Sequence, residues 1–245
     1  MENLHIDYYD IASYHADFTR QLTPVSLFCF LQESALRHAN SRGFGWKHLA
    51  LQNEFWILAK MHVRINRMPE WTEKIRLETW GKSPELLTAF RDFEFFDADN
   101  QTIIQSTSSW HILNVQTHKP TTLSGFADRF PIVNRCAIAE KPQKIPLPML
   151  ESVKSAVYTV LPSDIDMNQH VNNTRYVQWA MDCIDFAFQQ QHFLSQISVN
   201  FLSESRIGEH YFIEIYQNGL TFTHIILSEK DNRKLAAVES VWKKK

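Results

Sequence analysis

The sequence is short of glycine, of cysteine and of long apolar runs, and each shortage narrows the field. Six glycines in 245 residues leave no Gly-rich cradle of the kind that holds phosphates. The three cysteines, Cys29, Cys136 and Cys183, are widely scattered without C-x-x-C spacing. Neither a disulfide framework nor a zinc site is expected from them, and a reducing cytosol suits them. Apolar stretches end after about five residues, far below the ~20 that span a bilayer. No basic region followed by an apolar run stands at the N-terminus, so no signal peptide is visible and a soluble, cytoplasmic protein is expected. Charge of one sign is also lacking. With 25 Lys and Arg against 27 Asp and Glu the net charge is −2, which removes any global pull toward nucleic acid or an anionic membrane.

Aromatic residues, by contrast, are plentiful. Seventeen Phe, seven Trp and seven Tyr favour a sheet-rich protein or a large apolar pocket. The length suits two domains of roughly 100–130 residues each. A weak internal repeat supports that division. Phe93–Asn100 runs on to Trp110 as Ile225–Asn232 runs on to Trp242, with the Asp-Asn pair and the Trp at one common offset. Each copy reads as a strand, a turn at Asp-Asn and a returning strand. Upstream, Trp71–Thr79 resembles Ile207–Ile215, and Ile75, Leu77 and Thr79 alternate with polar residues as in a half-buried strand. An amphipathic helix precedes the strands in each half. The first covers about Val25–Asn40; the second covers about Thr174–Phe188, with Tyr176, Ala180, Ile184 and Ala187 on one face. The proline-rich stretch between Pro120 and Pro148 reads as an extended connection. The expected layout is therefore α+β: a domain over 1–130, a linker over 131–154 and a second domain over 155–245.

The densest cluster of functional groups is Asp164–Asn173, immediately before the second helix. Asn172 or Asn173 is a suitable N-cap, and the free N–H groups of a helix start favour developing negative charge. Asp166, Asn168 and His170 stand at i, i+2 and i+4, a spacing that brings three polar side chains to one wall of a cleft. Thioester hydrolysis needs an activated water, a stabilised oxyanion and a protonated leaving thiol. A carboxylate, an amide and an imidazole fill those roles without a metal or other cofactor. The matching stretch of the first half, roughly Asp17–Ser26, lacks this trio, so one active site per chain is expected.

The run from Asp166 to Trp179, DMNQHVNNTRYVQW, resembles the signature of the acyl-ACP thioesterases of plants and bacteria. The resemblance extends along nearly the whole chain and includes Glu78–Lys82. It implies two tandem hot-dog domains, each a long helix wrapped by an antiparallel sheet, that release fatty acids from acyl carrier protein. It also implies catalytic roles for Asp166, Asn168 and His170, and for a glutamate on a later strand, matched by Glu204. Many plant members carry a cysteine after that glutamate; Ser205 stands here, so water rather than a cysteine nucleophile is expected to attack. Either Glu204 or Asp166 is the candidate base, with His170 assisting proton transfer.

The acidic carrier calls for a local basic surface. Arg64 and Arg67 on the first long strand, and Arg37, Arg42 and Lys47 about the first helix, are the candidates. Phe44, Trp46, Phe55, Trp56, Trp80, Phe90 and Phe93 are candidates for lining an acyl tunnel in the first half. Three rival functions stand beside hydrolysis of carrier-bound acyl groups: an acyl-CoA thioesterase, a hot-dog enoyl-thioester hydratase and a non-catalytic acyl-binding module. The hydratase motif typically has proline between its Asn and His, where this chain has Gln169. Because a tandem chain supplies internally the partner that single hot-dogs find by pairing, either a monomer or a homodimer is expected.

Overall fold

A computed structural model describes residues 3–123 and 132–245. The chain divides into two units, Met1–Pro142 and Gln143–Lys245, both built of one antiparallel sheet with helix against it. In the first unit, β1 (His5–Asp10) is followed by α1 (Pro24–Ser41), the short α2 (Trp46–Ala50), β2 (Glu54–Ile65), β3 (Lys74–Lys82), β4 (Ala89–Phe96) and β5 (Thr102–Asn114). The sheet order within this unit is β1-β3-β4-β5-β2. Helix α1 begins as its sequence requires: Thr23 caps it by accepting the Ser26 N–H at 3.0 Å, and Pro24 opens the first turn. Its inner face, including Leu27, Leu31, Ser34 and His38, is buried.

Strand β4 is buried along its entire length because both of its faces are covered. Arg91, Phe93 and Phe95 face α1, as the contact of Arg91 with His38 shows. Asp92 and Glu94 face the segment after residue 132, where Ala137 donates to Asp92 Oδ2 at 2.8 Å and Arg135 pairs with Glu94. This sorts the aromatic candidates. Phe93 lies under α1, whereas Trp80 donates to the Arg135 carbonyl at 2.9 Å and Phe90 lies beneath the Lys141 ammonium, both on the far face. Trp46 is 51 % exposed.

The second unit carries β6 (Val153–Lys154), β7 (Tyr158–Thr159), α3 (Asn173–Asp182), α4 (Phe186–Gln191), β8 (His192–Phe201), β9 (His210–Asn218), β10 (Thr221–Ser228) and β11 (Lys234–Lys244). Its sheet runs β8-β11-β10-β9, and both β6 and β7 pair with β9. The second helix is not continuous to Phe188. It stops at Asp182 and restarts because Asp185 caps a new turn, accepting the Phe188 N–H at 3.1 Å. Gln189 then satisfies carbonyls left at the break, donating to Met181 O and Ile184 O at 3.3 and 2.9 Å. The restart changes the inward face: Ala187 is exposed, and Phe188 turns in against Phe222 and Trp242.

The internal repeat is visible in backbone detail. Asn100 and Asn232 both adopt left-handed conformations, φ 58 and 54, which asparagine tolerates at turns. Thr72 and Gly208 match likewise, with φ 73 and 79. Trp110 donates its indole N–H to Ser108 Oγ, and Trp242 donates to Ser240 Oγ, at 2.8 and 3.0 Å. One difference appears. Phe96 pairs with Thr102, but Leu227 pairs with Lys234, so the second turn is one residue longer and its upstream strand residues match at an offset of 131, not 132. Among the described residues, no helix is long and apolar enough to cross a membrane.

Candidate active site

The stretch Asp164–Asn172 is a closed loop whose shape follows from its short polar side chains. Asp164 Oδ2 accepts the Leu161 N–H at 2.8 Å and completes a 3-10 turn over Pro162–Asp164. Asp166 N–H donates to the His170 carbonyl at 2.9 Å, and Gln169 N–H donates back to the Asp166 carbonyl at 3.0 Å. Asp166 Oδ1 accepts the Asn168 N–H at 2.8 Å, an Asx turn. The reversal requires Gln169 at φ 63. Beyond it, Val171 N–H donates to the Ser205 carbonyl at 3.0 Å and Asn172 N–H to the Asp164 carbonyl at 2.8 Å. Asn172 then caps α3, its Oδ1 accepting from Thr174 N–H and Oγ1 at 3.0 and 2.9 Å.

Tying Val171 to Ser205 sets His170 beside Glu204. Their side chains meet at 3.2 Å, Nε2 to Oε2, and are 24 % and 38 % exposed, so water reaches the pair. The structure does not give Asp166 the same position: among the described residues it has no basic nitrogen within 4.0 Å. Asn168 is exposed, and its side-chain amide makes no hydrogen bond to a described residue. Among the described residues no group of three or more His, Cys, Asp or Glu is arranged to hold a metal ion.

Of four further residues around the pair, Ser205, Glu209 and Arg233 lie outside the motif and Tyr176 lies within it. Arg233 Nη1 donates to the Glu204 carbonyl at 2.8 Å and its Nη2 is 3.6 Å from Glu209 Oε2. Ser205, fully buried, donates Oγ to Glu209 Oε2 at 2.8 Å. The hydroxyl of Tyr176 is buried without a partner among the described residues, and burial, then the Glu209 charge, pushes its pKa up. Position 205 thus holds the loop through its carbonyl and Glu209 through its hydroxyl. The only signal of it in the sequence is a serine where plant members of the resembling family carry cysteine.

The first unit contains the same loop without the chemistry. Asp17 Oδ1 accepts the Thr19 N–H at 2.7 Å. Asp17 N–H donates to the Gln21 carbonyl, and Arg20 N–H to the Asp17 carbonyl, both at 2.9 Å. Arg20 sits at φ 63, and Leu22 N–H donates to the Pro69 carbonyl at 2.8 Å. Superposing the bonds puts Asp17 on Asp166, Thr19 on Asn168, Gln21 on His170 and Met68 on Glu204. Only the aspartate is common to both.

Comparison with known proteins agrees with this organisation. Residues 2–125 match the model of the acyl-ACP thioesterase N-terminal domain, and residues 149–244 match that of the C-terminal domain. Oleoyl-acyl carrier protein thioesterase 2 of Arabidopsis thaliana is 28 % identical over 213 residues, covering 79 % of this chain and 58 % of the relative. Palmitoyl-acyl carrier protein thioesterase of Gossypium hirsutum is 26 % identical over 210 residues, covering 80 % and 51 %. The chain thus spans just over half the length of these chloroplastic relatives. A crystal structure of an acyl-ACP thioesterase from Bacteroides thetaiotaomicron superposes with a TM-score of 0.90 at 26 % identity, over 98 % of each chain. With tandem helix-on-sheet units of the hot-dog kind and both domain models matched, the chain belongs to the acyl-ACP thioesterase family.

Proposed function

We propose that the chain hydrolyses fatty acyl–acyl carrier protein to free fatty acid and holo-carrier, by attack of a water activated at Glu204. The observation that carries the mechanism is the 3.2 Å contact between His170 Nε2 and Glu204 Oε2. The Glu204 carboxylate takes a proton from water as its oxygen attacks the thioester carbonyl carbon. His170 relays a proton to the sulfur as the C–S bond breaks, so the carrier leaves as a thiol. The free amide of Asn168 donates to the oxyanion, a role worth roughly 10²–10³ in rate. Asp166 is a positioning residue. Its carboxylate holds the loop through the Asn168 N–H, and Asp17 does the same in the loop that has no histidine.

The half over 1–130 takes the acyl chain and the half over 155–245 carries the chemistry, joined through 131–154. The aromatic side chains under α1, with Phe28, Phe93 and Phe95 almost fully buried, support the first assignment. For carrier docking, three of the five basic candidates are engaged already: Arg37 with Glu33 and Asp7, Arg64 with Glu140, and Arg67 with Glu73 and Asp97. Arg42 and Lys47 are exposed and, among the described residues, form no ion pair; the proposed docking surface centres on them. Three free thiols support a cytoplasmic location. The hydratase alternative is disfavoured by backbone geometry, because Gln169 at φ 63 occupies a conformation closed to proline.

Thiol release from acyl carriers of graded chain length, with wild type and His170→Ala in parallel, tests the proposal. Release by wild type and its loss in the variant are expected. Carriers bound but left intact would overturn it.

A further inference from the structure

The layer between α1 and its sheet contains a cation that the family fold does not require. Arg91 is 4 % exposed and turns its guanidinium toward the helix. Nη1 makes both of its hydrogen bonds, to His38 Nδ1 at 2.9 Å and to Thr79 Oγ1 at 3.0 Å. Nε and Nη2 donate to no described residue, and no described carboxylate lies within 4.0 Å. A guanidinium only donates, so His38 Nδ1 accepts and the ring proton sits on Nε2. That nitrogen is buried without an acceptor among the described residues. Burial, then the Arg91 charge, keeps His38 neutral, its pKa pushed down to about 2.

Two hydroxyls of the same layer are also unpartnered. Ser34 lies one turn before His38 on the buried face of α1, and its Oγ has no hydrogen bond to a described residue. Ser106 stands directly across from Phe93, as Ser108 stands across from Arg91, so its side chain shares their helix-facing side. Ser106 Oγ is likewise buried and unsatisfied. The layer therefore holds a buried positive charge and unsatisfied N–H donors with no described carboxylate within 4.0 Å of the guanidinium, because Asp7 at the edge of the layer is taken by Arg37 and His5. Buried polar groups are rarely left so. The second unit shows that the fold does not demand the cation: opposite Ser240, the counterpart of Ser108, stands Phe222.

We propose that this layer binds the oxygen-bearing end of an acyl chain, with Arg91 as the residue that selects it. The proposal rests on the hydrolase reading above and on the first half taking the chain. A hydroxyl or carbonyl supplies the missing acceptor, and a terminal carboxylate also supplies the missing charge. A methyl terminus supplies neither, and leaves the guanidinium and the two serines unsatisfied. The chemical class indicated is therefore ω-oxygenated acyl groups, with ω-carboxyacyl the best match.

The test uses the full-length protein and acyl carrier thioesters of eight to sixteen carbons, each made with a methyl, an ω-hydroxyl and an ω-carboxyl terminus. Wild type is expected to favour an oxygenated terminus over methyl in kcat/KM by about 10-fold or more for at least one length, since hydrogen bonds to a charged group are strong. Arg91→Met is expected to reverse the ratio within the same series. Preference for methyl at every length, or an oxygen preference that survives Arg91→Met, overturns the proposal. Should Arg91→Met fail to fold, Ser106→Val decides, since retention of the full oxygen preference there also overturns it. Binding of the same carriers is measured alongside. If no thioester is cleaved yet ω-carboxyacyl carriers bind more tightly than methyl ones, the hydrolase reading fails and this site stands; equal binding defeats the site.

Discussion

His224 is the most isolated imidazole of the second unit and provides a quantitative test of the packing. It lies on β10 between Ile215 and Val238 on the neighbouring strands. It is completely buried, and neither ring nitrogen has a partner among the described residues. Burial lowers its pKa to about 4 from an ordinary value of 6.5. A folded-state pKa depressed in this way means that the neutral ring is favoured in the native protein. The unfolded chain binds the proton first, so stability is held above pH 6.5 and is lost as pH falls from there toward about 4. Full protonation of the unfolded form alone costs on the order of 3 kcal/mol across that window. His224→Leu keeps a similar volume and removes two unsatisfied polar atoms, so it should stabilise by about 1–3 kcal/mol near neutrality. Urea unfolding at a series of pH values between 7 and 4 is the assay. Wild-type stability should fall more steeply toward acid than that of the variant. Equal slopes, or a less stable variant at pH 7, would refute the reasoning.

Glu204→Gln and His170→Ala should each lower kcat by about 10²–10⁴, and the double variant should be no worse than the poorer single one. Melting should barely move, because a partly exposed side-chain contact of this kind contributes only about 0–1 kcal/mol. Gln169→Gly should preserve activity and gain a few tenths to about 1 kcal/mol by relieving φ 63; Gln169→Val should lose stability and activity together. Ser205→Val should cost about 1–3 kcal/mol by stranding the Glu209 carboxylate, seen in melting and in an altered pH–rate profile, whereas Ser205→Cys should lose less than about tenfold in kcat. Arg42→Glu with Lys47→Glu should raise KM for carrier-bound substrate by about tenfold while sparing a small thioester; no change would remove that face as the docking surface.

What could be read in the sequence was what local chemistry decides. The hairpins were readable because Asp-Asn announces a left-handed turn at Asn100 and again at Asn232. The first helix was readable to within about a residue at either end from its apolar spacing over Val25–Asn40. The loop at 166–170 was readable because its residue types stand close together in the chain. Contacts made across long separations left no such trace. Arg233 holds the Glu204 carbonyl from 29 residues away, and His38 meets Arg91 from 53. The helix break escaped because helical periodicity continues through Ile184, and only the capping bond of Asp185 interrupts it. Trp80 and Phe90 fall on the face of the sheet away from α1, and because β3 and β4 are buried over most of their length an apolar residue there does not declare its side.

The two matching loops have a consequence for how this chain tolerates change. Their contour is drawn by an aspartate, a left-handed fourth residue and a capping side chain, none of which has to touch substrate. On the proposed mechanism, chemistry and folding are divided between different residues of one short segment. Lesions at 168 or 170 should yield well-folded but silent protein, while lesions at 166 or 172 should trouble both. The blank copy at 17–23 is free to drift at Gln21, Thr19 being held by its own hydroxyl on Asp17 at 2.6 Å, and it is equally a ready-made mount on which a second reactive set could be installed.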